Sequence, residues 1–273
     1  MDSMKVYRGM DIGTDKPSAE MQARAPFGLV DLVGHDERFS AGRWIEAACA
    51  AAERSASPVL FAGGTPLYLR LLVQGLFPGP PADPETRVEL DRLWDEHGEA
   101  AVRRELAAVD PVLEERLFPG DRKRLLRGLE VHRLSGRALS EWQRDETEPA
   151  LPGRFVLVAL RWEQQAHRRR IEERIETMFD RGLLDEVRSL RNRAPFAPEA
   201  GRSIGYAEAL DVLDGRRTQQ DAIERMAVRT RQLVRKQGMF LKTFADLRWV
   251  DIGPGESADD VLPRVERALE LTD

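Results

Sequence analysis

Met1-Asp2-Ser3-Met4-Lys5-Val6-Tyr7-Arg8-Gly9-Met10-Asp11-Ile12-Gly13-Thr14-Asp15-Lys16-Pro17 opens the chain, and the rest of the sequence is organised around it. Asp2 and Ser3 bring a carboxylate and a hydroxyl to a short polar turn. Gly9 and Gly13 permit tight turns, and the loop ends at Pro17. A domain rarely begins with its most polar, turn-rich stretch, so an element ahead of Met1 is expected.

Further along, Pro58 to Ala62 is a continuous apolar run, the pattern of a buried strand. It runs into Gly63-Gly64-Thr65-Pro66, where Thr65 suits a helix N-cap and Pro66 a first helical residue. That helix is expected to stop at Gly75. A strand, glycine turn and helix in this order can seat an anion at the helix N-terminus. Residues 20–39 read as an irregular connection, and Ser40 caps an alanine-rich helix to about Arg54. A proline-rich joint, Pro78 to Pro81, precedes about seventy residues without strand signal. There Asp83-Pro84, Asp110-Pro111 and Asp121 each open a helix, with Gly98 and Gly136 as stops. Phe155 to Leu160 is again a strand, helices follow, and Arg248 to Ile252 is a last strand. Strands separated by helices imply a mostly parallel sheet. The division expected is 1–81 as the first part of an α/β core, 82–149 as a helical insertion, and 150–273 as the second part.

The 273 residues suffice for a large core. With 42% hydrophobic and 33% charged residues, composition is that of an ordinary globular chain. A net charge of -5 means that nucleic acid would have to be met by local basic patches. Cys49 is the sole cysteine, which excludes an internal disulfide and fits a reducing cytoplasm. No apolar run approaches the roughly 18 residues of a membrane span, and no signal pattern opens the chain.

Two basic stretches stand out. Arg122, Lys123, Arg124, Arg127, Arg133 and Arg137 crowd residues 121–137, with Lys123, Arg124 and Arg127 on one helical face. Arg225, Arg229, Arg231, Arg235, Lys236 and Lys242 follow one another with no acid between Arg225 and Lys242. Such faces can neutralise phosphates, though a charged surface helix has the same composition. Arg170 and Arg174, one turn apart, can clamp a diphosphate, or can pair with Glu172, Glu173 and Glu176. Taken alone, Asp2 and Arg87 read as solvated side chains.

Four segments together resemble the tRNA dimethylallyltransferase (tRNA isopentenyltransferase) family. That family carries Asp-Ser-Met-Gln-Val-Tyr-Arg-Gly-Met-Asp-Ile-Gly-Thr-Ala-Lys-Pro after its second core strand. Residues 2–17 match it nearly residue for residue, with Lys5 where glutamine is usual. Gly63-Gly64-Thr65-Pro66-Leu67-Tyr68 is similar to the family's Gly-Gly-Thr-Gly-Leu-Tyr, with proline in place of one backbone donor. Asp121-Arg122-Lys123-Arg124-Leu125-Leu126-Arg127-Gly128-Leu129-Glu130-Val131 resembles Asp-x-x-Arg-x-x-Arg-Ala-Leu-Glu-Val. Thr230-Arg231-Gln232-Leu233-Val234-Arg235-Lys236-Gln237-Gly238-Met239-Phe240 keeps the basic register of the family's long helix, with Met239-Phe240 replacing a Thr-Trp pair.

The resemblance implies transfer of a dimethylallyl group from dimethylallyl diphosphate to the N6 amine of an adenine beside the tRNA anticodon. It implies a P-loop-type parallel sheet core with a helical insertion. Asp2 would be the general base, with Thr65 and Arg174 as the other catalytic groups. Thr65, Arg170 and Arg174 would hold the diphosphate, with Mg²⁺ offsetting its charge. The metal's protein ligands are unknown. The tRNA anticodon stem-loop would meet Asp2, Ser3, Met4, Lys5, Thr65 and Arg87. It would also meet Lys123, Arg124, Leu125, Leu126 and Arg127. Further contacts would come from Arg202, Ser203, Ile204, Gly205, Tyr206, Arg235, Lys236, Gln237 and Lys242. A cytoplasmic monomer without membrane contact is expected.

Family members begin with a strand, a Gly-x-Thr-x-x-Gly-Lys-Ser/Thr phosphate loop, a helix and a second strand, and residues 1–273 contain none of it. The expectation is therefore a core incomplete at its N-terminus by one βαβ unit, on the order of 30 residues, through a fragment or a misassigned start. Two other readings stand beside the enzyme. One is a catalytically inactive tRNA-binding homologue; the other is a prenyltransferase acting on free adenylate, which would not need the basic helices.

Overall fold

The computed structural model describes residues 1–56, 58–75, 77, 79–145 and 147–271. Pro78 of the proline-rich joint thus lies outside the described residues. In chain order the first helices are α1 (Ala19–Arg24), α2 (Ala41–Glu53), α3 (Pro66–Gln74), α4 (Pro84–Val109), α5 (Pro111–Arg116), α6 (Arg122–Ser135) and α7 (Leu139–Trp142). Then come β1 (Val158–Trp162), α8 (Gln164–Asp180), α9 (Leu183–Arg193), α10 (Pro198–Gly201), α11 (Tyr206–Leu213), α12 (Gln219–Leu241), β2 (Arg248–Ile252) and α13 (Ala258–Ala268).

Side-chain caps set the helix starts. Ser40, Asp83, Asp110 and Asp121 each accept a hydrogen bond from the amide three residues on, satisfying donors the helix leaves unpaired. Gly136 closes α6 in the left-handed conformation. Helix α1 falls inside a stretch expected to be irregular; Ser18 caps it.

The chain divides into two compact units, Met1–Val73 with Ala150–Asp273, and Gln74–Pro149. In the first, the opening segment supplies the middle of the core: Val6, Tyr7 and Met10 are buried. Trp44 of α2 stacks on Tyr68 of α3 with ring centroids 4.1 Å apart. Ile171, Ile175, Met178 and Phe179 of α8 turn inward together, as their helical spacing requires. On α12, Met226 is buried, while Ile223 and Val234 are partly buried against the same core. Residues 5–8 run beside 31–33, with Val33 N donating to Val6 O at 3.0 Å and Arg8 N to Val33 O at 2.8 Å.

The sheet is small and parallel. Strands β1 and β2 pair from Val158↔Arg248 to Trp162↔Ile252, with α13 packed on them through Val261. The first of these strands starts three residues later than the apolar run suggests. Its partner begins at Arg248, whose N–H donates to Leu157 O at 2.9 Å, so residues 155–157 precede the ladder. The strand expected at 58–62 is not formed. That segment pairs with no strand among the described residues, and Val59 and Leu60 are exposed. The fold is α/β, mainly helical with a two-stranded parallel sheet among the described residues. No described helix is long and apolar enough to cross a membrane.

The second unit is helical. Leu90, Val102 and Leu106 of α4 pack with Leu125, Leu129 and Val131 of α6 and with Leu113 of α5. Gly98 breaks α4 with φ 74° and ψ 179°, backbone that only glycine adopts readily. Replacing it, Gly98→Ala, is expected to destabilise this unit by about 1–3 kcal/mol. Thermal unfolding monitored by circular dichroism checks this; an unchanged midpoint would mean that the break in α4 is dispensable.

Candidate active site

Asp2 begins a tight turn. Its Oδ1 accepts from Met4 N at 2.8 Å and Lys5 N at 3.2 Å, the local pattern that makes aspartate a turn former. Among the described residues Oδ2 has no hydrogen-bond partner, so one carboxylate oxygen builds the turn and the other is uncommitted. The next residue joins this turn to α3: Ser3 N donates to Thr65 Oγ1 at 3.0 Å, and Thr65 N donates to Met1 O at 3.2 Å. The Thr65 hydroxyl, expected as a helix cap, is directed at Ser3 instead. Gly63 makes the approach possible: a Cβ there would lie 2.2 Å from Met1 O. From α12, Gln237 Nε2 donates to Gly64 O, which brings Gln237 to the same turn. Asp2, Ser3, Thr65, Gly64 and Gln237 are therefore one local cluster.

The far end of the opening segment is fixed by charge. The Glu186 carboxylate of α9 accepts from Asp11 N at 3.0 Å, Ile12 N at 2.7 Å and Gly13 N at 3.4 Å. It also accepts from the Tyr206 hydroxyl at 2.5 Å. Burial first, and then the Glu186 charge, push the Tyr206 phenol far above its ordinary range, so it remains a donor. A side chain at Gly13 would strike the Tyr206 ring at 2.5 Å. Lys16, only 5% exposed, donates to Tyr7 O at 2.6 Å and pairs with Asp11 and Asp31 at 2.7 and 2.6 Å. Thr14 Oγ1 donates to Met10 O at 2.6 Å.

Several expected ligand contacts are occupied by the protein itself. Arg87 and Arg127 both grip the buried Glu130: Arg87 Nε lies 2.9 Å from one carboxylate oxygen and Arg127 Nη1 2.6 Å from the other. Arg87 Nη2 at 3.3 Å and Asp83 N at 2.9 Å add two more hydrogen bonds. Leu125 is fully buried and Leu126 partly so, and both side chains pack into the core of the helical unit. Tyr206 is likewise buried, so its part is played through Glu186. Arg225 and Arg229 of the cationic run turn back to the buried Glu208, which also takes Gly205 N at 3.0 Å. Arg231 pairs with Glu172 at 3.3 Å.

Other candidates remain outward. Lys123, Arg124, Arg202, Arg235, Lys236 and Lys242 are exposed. Lys5, Ser203 and Ile204 are half-buried, and Met4 packs on the core. Ser203 Oγ donates to Ala200 O. Arg174 Nε stands 3.5 Å from Asp15 Oδ2, and Arg170 lies over the Trp162 ring at 5.0 Å. Among the described residues neither arginine hydrogen-bonds to Asp2, Ser3 or Thr65, so Arg170 and Arg174 are not drawn into the Thr65 cluster.

The buried acids Glu130 and Glu208 and the half-buried Glu186 are structural anchors that sequence reasoning missed. The signal was present for two of them: Glu130 sits between Leu129 and Val131, and Glu208 between Ala207 and Ala209. An acid flanked by apolar residues on a helix asks for a buried cation. Glu186 left no such mark. Among the described residues no group of three or more His, Cys, Asp or Glu side chains could hold a metal ion.

A model of the IPP transferase family matches residues 5–244. The chain is 40% identical over 255 residues to tRNA dimethylallyltransferase 2 of Geotalea uraniireducens, covering 92% of this chain and 82% of that protein. It is 34% identical over 275 residues to the tRNA dimethylallyltransferase of Rhodopirellula baltica, covering 99% and 82% respectively. Among solved structures, it is similar to the tRNA isopentenylpyrophosphate transferase of Bacillus halodurans. The TM-score there is 0.67 at 29% identity, over 99% of this chain and 87% of that one.

The acid clamp makes a pH prediction. Burial raises the Glu130 pKa, but hydrogen bonds from Arg127, Arg87 and Asp83 N outweigh it and leave the group below the ordinary 4.5. A lowered folded-state pKa stabilises above the ordinary value, and that contribution is lost as pH falls through the folded one. Glu130→Gln should therefore cost about 2 kcal/mol near neutrality and flatten the loss of stability below pH 4.5. Urea unfolding at several pH values reads both; a parallel acid limb in the variant would contradict the clamp.

Proposed function

This chain belongs to the IPP transferase family, and from that membership we propose that it moves a dimethylallyl group from dimethylallyl diphosphate to the N6 amine of an adenine next to the anticodon in tRNA. The relatives' shared name supports the reaction, and the seat of Asp2 supports its chemistry. In the transfer, the bond between the prenyl carbon and the diphosphate oxygen breaks as the amine nitrogen bonds to that carbon. The amine proton passes to Asp2 Oδ2, and the diphosphate leaves. A general base held by its own turn, with one oxygen committed and one open, is suited to that step.

Thr65 Oγ1 would donate to the diphosphate, giving up its long 3.4 Å contact with Ser3 Oγ. Arg174, with Arg170 near it on α8, would meet the leaving group's charge through guanidinium nitrogens. Magnesium, carried on diphosphate oxygens and water, would offset that charge. The fold in this reading is a P-loop-type core; its phosphate loop is not among residues 1–273, and no step is assigned to it. The tRNA would rest on the exposed cations Lys123, Arg124, Arg202, Arg235, Lys236 and Lys242. Arg87 and Arg127 would act by keeping α6 in place through Glu130. A monomer working on cytoplasmic tRNA completes the reading.

Three measurements check it. Asp2→Asn should lower kcat by about a hundredfold or more while the KM for tRNA barely changes; full activity would remove Asp2 as the base. Lys236→Ala should weaken tRNA binding and reduce the slope of log affinity against log salt by about one. Arg127→Ala should instead lower the unfolding midpoint. If Lys236→Ala left the salt slope intact, α12 would not be the tRNA-facing helix.

A further inference from the structure

Asp15 sits in the left-handed region, with φ 52°, a conformation that costs an ordinary side chain of the order of 1 kcal/mol. Its backbone has little freedom to relax. Ahead of it, the Glu186 carboxylate holds the amides of Asp11, Ile12 and Gly13. Behind it, the Lys16 ammonium is buried against three acceptors, and Lys16 N donates to Asp11 O at 3.1 Å. Asp15 N itself donates to Ile12 O at 3.1 Å. The strain is therefore imposed by the loop, and it turns the Asp15 carboxylate to Arg174.

Arg174 Nε lies 3.5 Å from Asp15 Oδ2, and both side chains are about half exposed. A guanidinium approached on its Nε edge keeps its two terminal nitrogens free to form a fork with a phosphate group. Resting on the reading that Arg174 binds the diphosphate, we infer that Asp15 is a positioning residue that aims Arg174 at the leaving group, seated for that purpose by Glu186 and Tyr206. It sets the affinity for the prenyl donor and leaves that for tRNA alone.

The test is a cycle on the intact enzyme with Asp15→Asn, Asp15→Gly, Arg174→Lys and the two doubles. Asparagine and glycine both accept a positive φ, so neither variant should lose the fold; glycine relieves the strain as well. Asp15→Asn and Asp15→Gly are expected to raise the KM for dimethylallyl diphosphate, and the inhibition constant of inorganic diphosphate, by about threefold, the scale of an exposed ion pair. The KM for tRNA and the unfolding midpoint should stay put or, for glycine, the midpoint should rise. In the Arg174→Lys background neither Asp15 change should add anything. If Arg174→Lys raises the donor KM but the Asp15 variants leave it unchanged or lower it, the positioning role is overturned and the diphosphate reading stands. If Arg174→Lys itself leaves donor KM and diphosphate inhibition unchanged, Arg174 is not the diphosphate arginine and the inference falls with that reading.

Discussion

Three backbone N–H groups, from Asp11, Ile12 and Gly13, converge on the Glu186 carboxylate, and the buried Tyr206 hydroxyl completes its shell. One half-buried side chain from α9 thus pairs three successive amides of the opening loop. The consequence is a loop with almost no independence. Val6 and Met10 are buried beneath it, Lys16 is locked to Tyr7 O, Asp11 and Asp31, and Ser3 is tied to Thr65. A segment that reads as flexible and polar is thereby made a rigid platform. A base must meet a nucleophile's proton at hydrogen-bond distance, so rigidity here bears directly on the chemistry.

The same economy governs the arginines. An exposed guanidinium and one bound to a buried carboxylate look alike in sequence, yet they do different work. Arg87 and Arg127 neutralise Glu130, and Arg225 and Arg229 neutralise Glu208; losing any of these would leave a buried acid short of its partner. Lys123, Arg124, Arg235, Lys236 and Lys242 are exposed, and among the described residues Arg124 pairs only with the partly exposed Asp121 at 3.2 Å. The overall charge of -5 is compatible with this because the cations that face solvent are grouped on particular helices.

Much of the fold was legible because its punctuation is local. Ser40, Asp83, Asp110 and Asp121 announce helix starts, and Gly75, Gly98 and Gly136 mark stops or breaks. Asp2 and Thr65 stood out only through the resemblance of their segments to a family, since residue types alone read equally as a solvated aspartate and an ordinary helix cap. What could not be read is pairing across the chain. Whether 58–62 becomes a strand depends on a partner strand, which local hydrophobicity does not reveal. Glu186 is distant in sequence from the amides it binds, and no spacing links them. Nor does the sequence reveal that Tyr206 is buried with its hydroxyl on Glu186.

Product analysis tests the central claim most directly. The protein would be incubated with tRNA, isotopically labelled dimethylallyl diphosphate and magnesium, the tRNA digested to nucleosides, and the label located by mass spectrometry. The expected result is N6-dimethylallyladenosine from the position beside the anticodon, with none formed on free AMP in a parallel reaction. Label on AMP, or tRNA that binds in a salt-sensitive manner but returns unmodified, would contradict it.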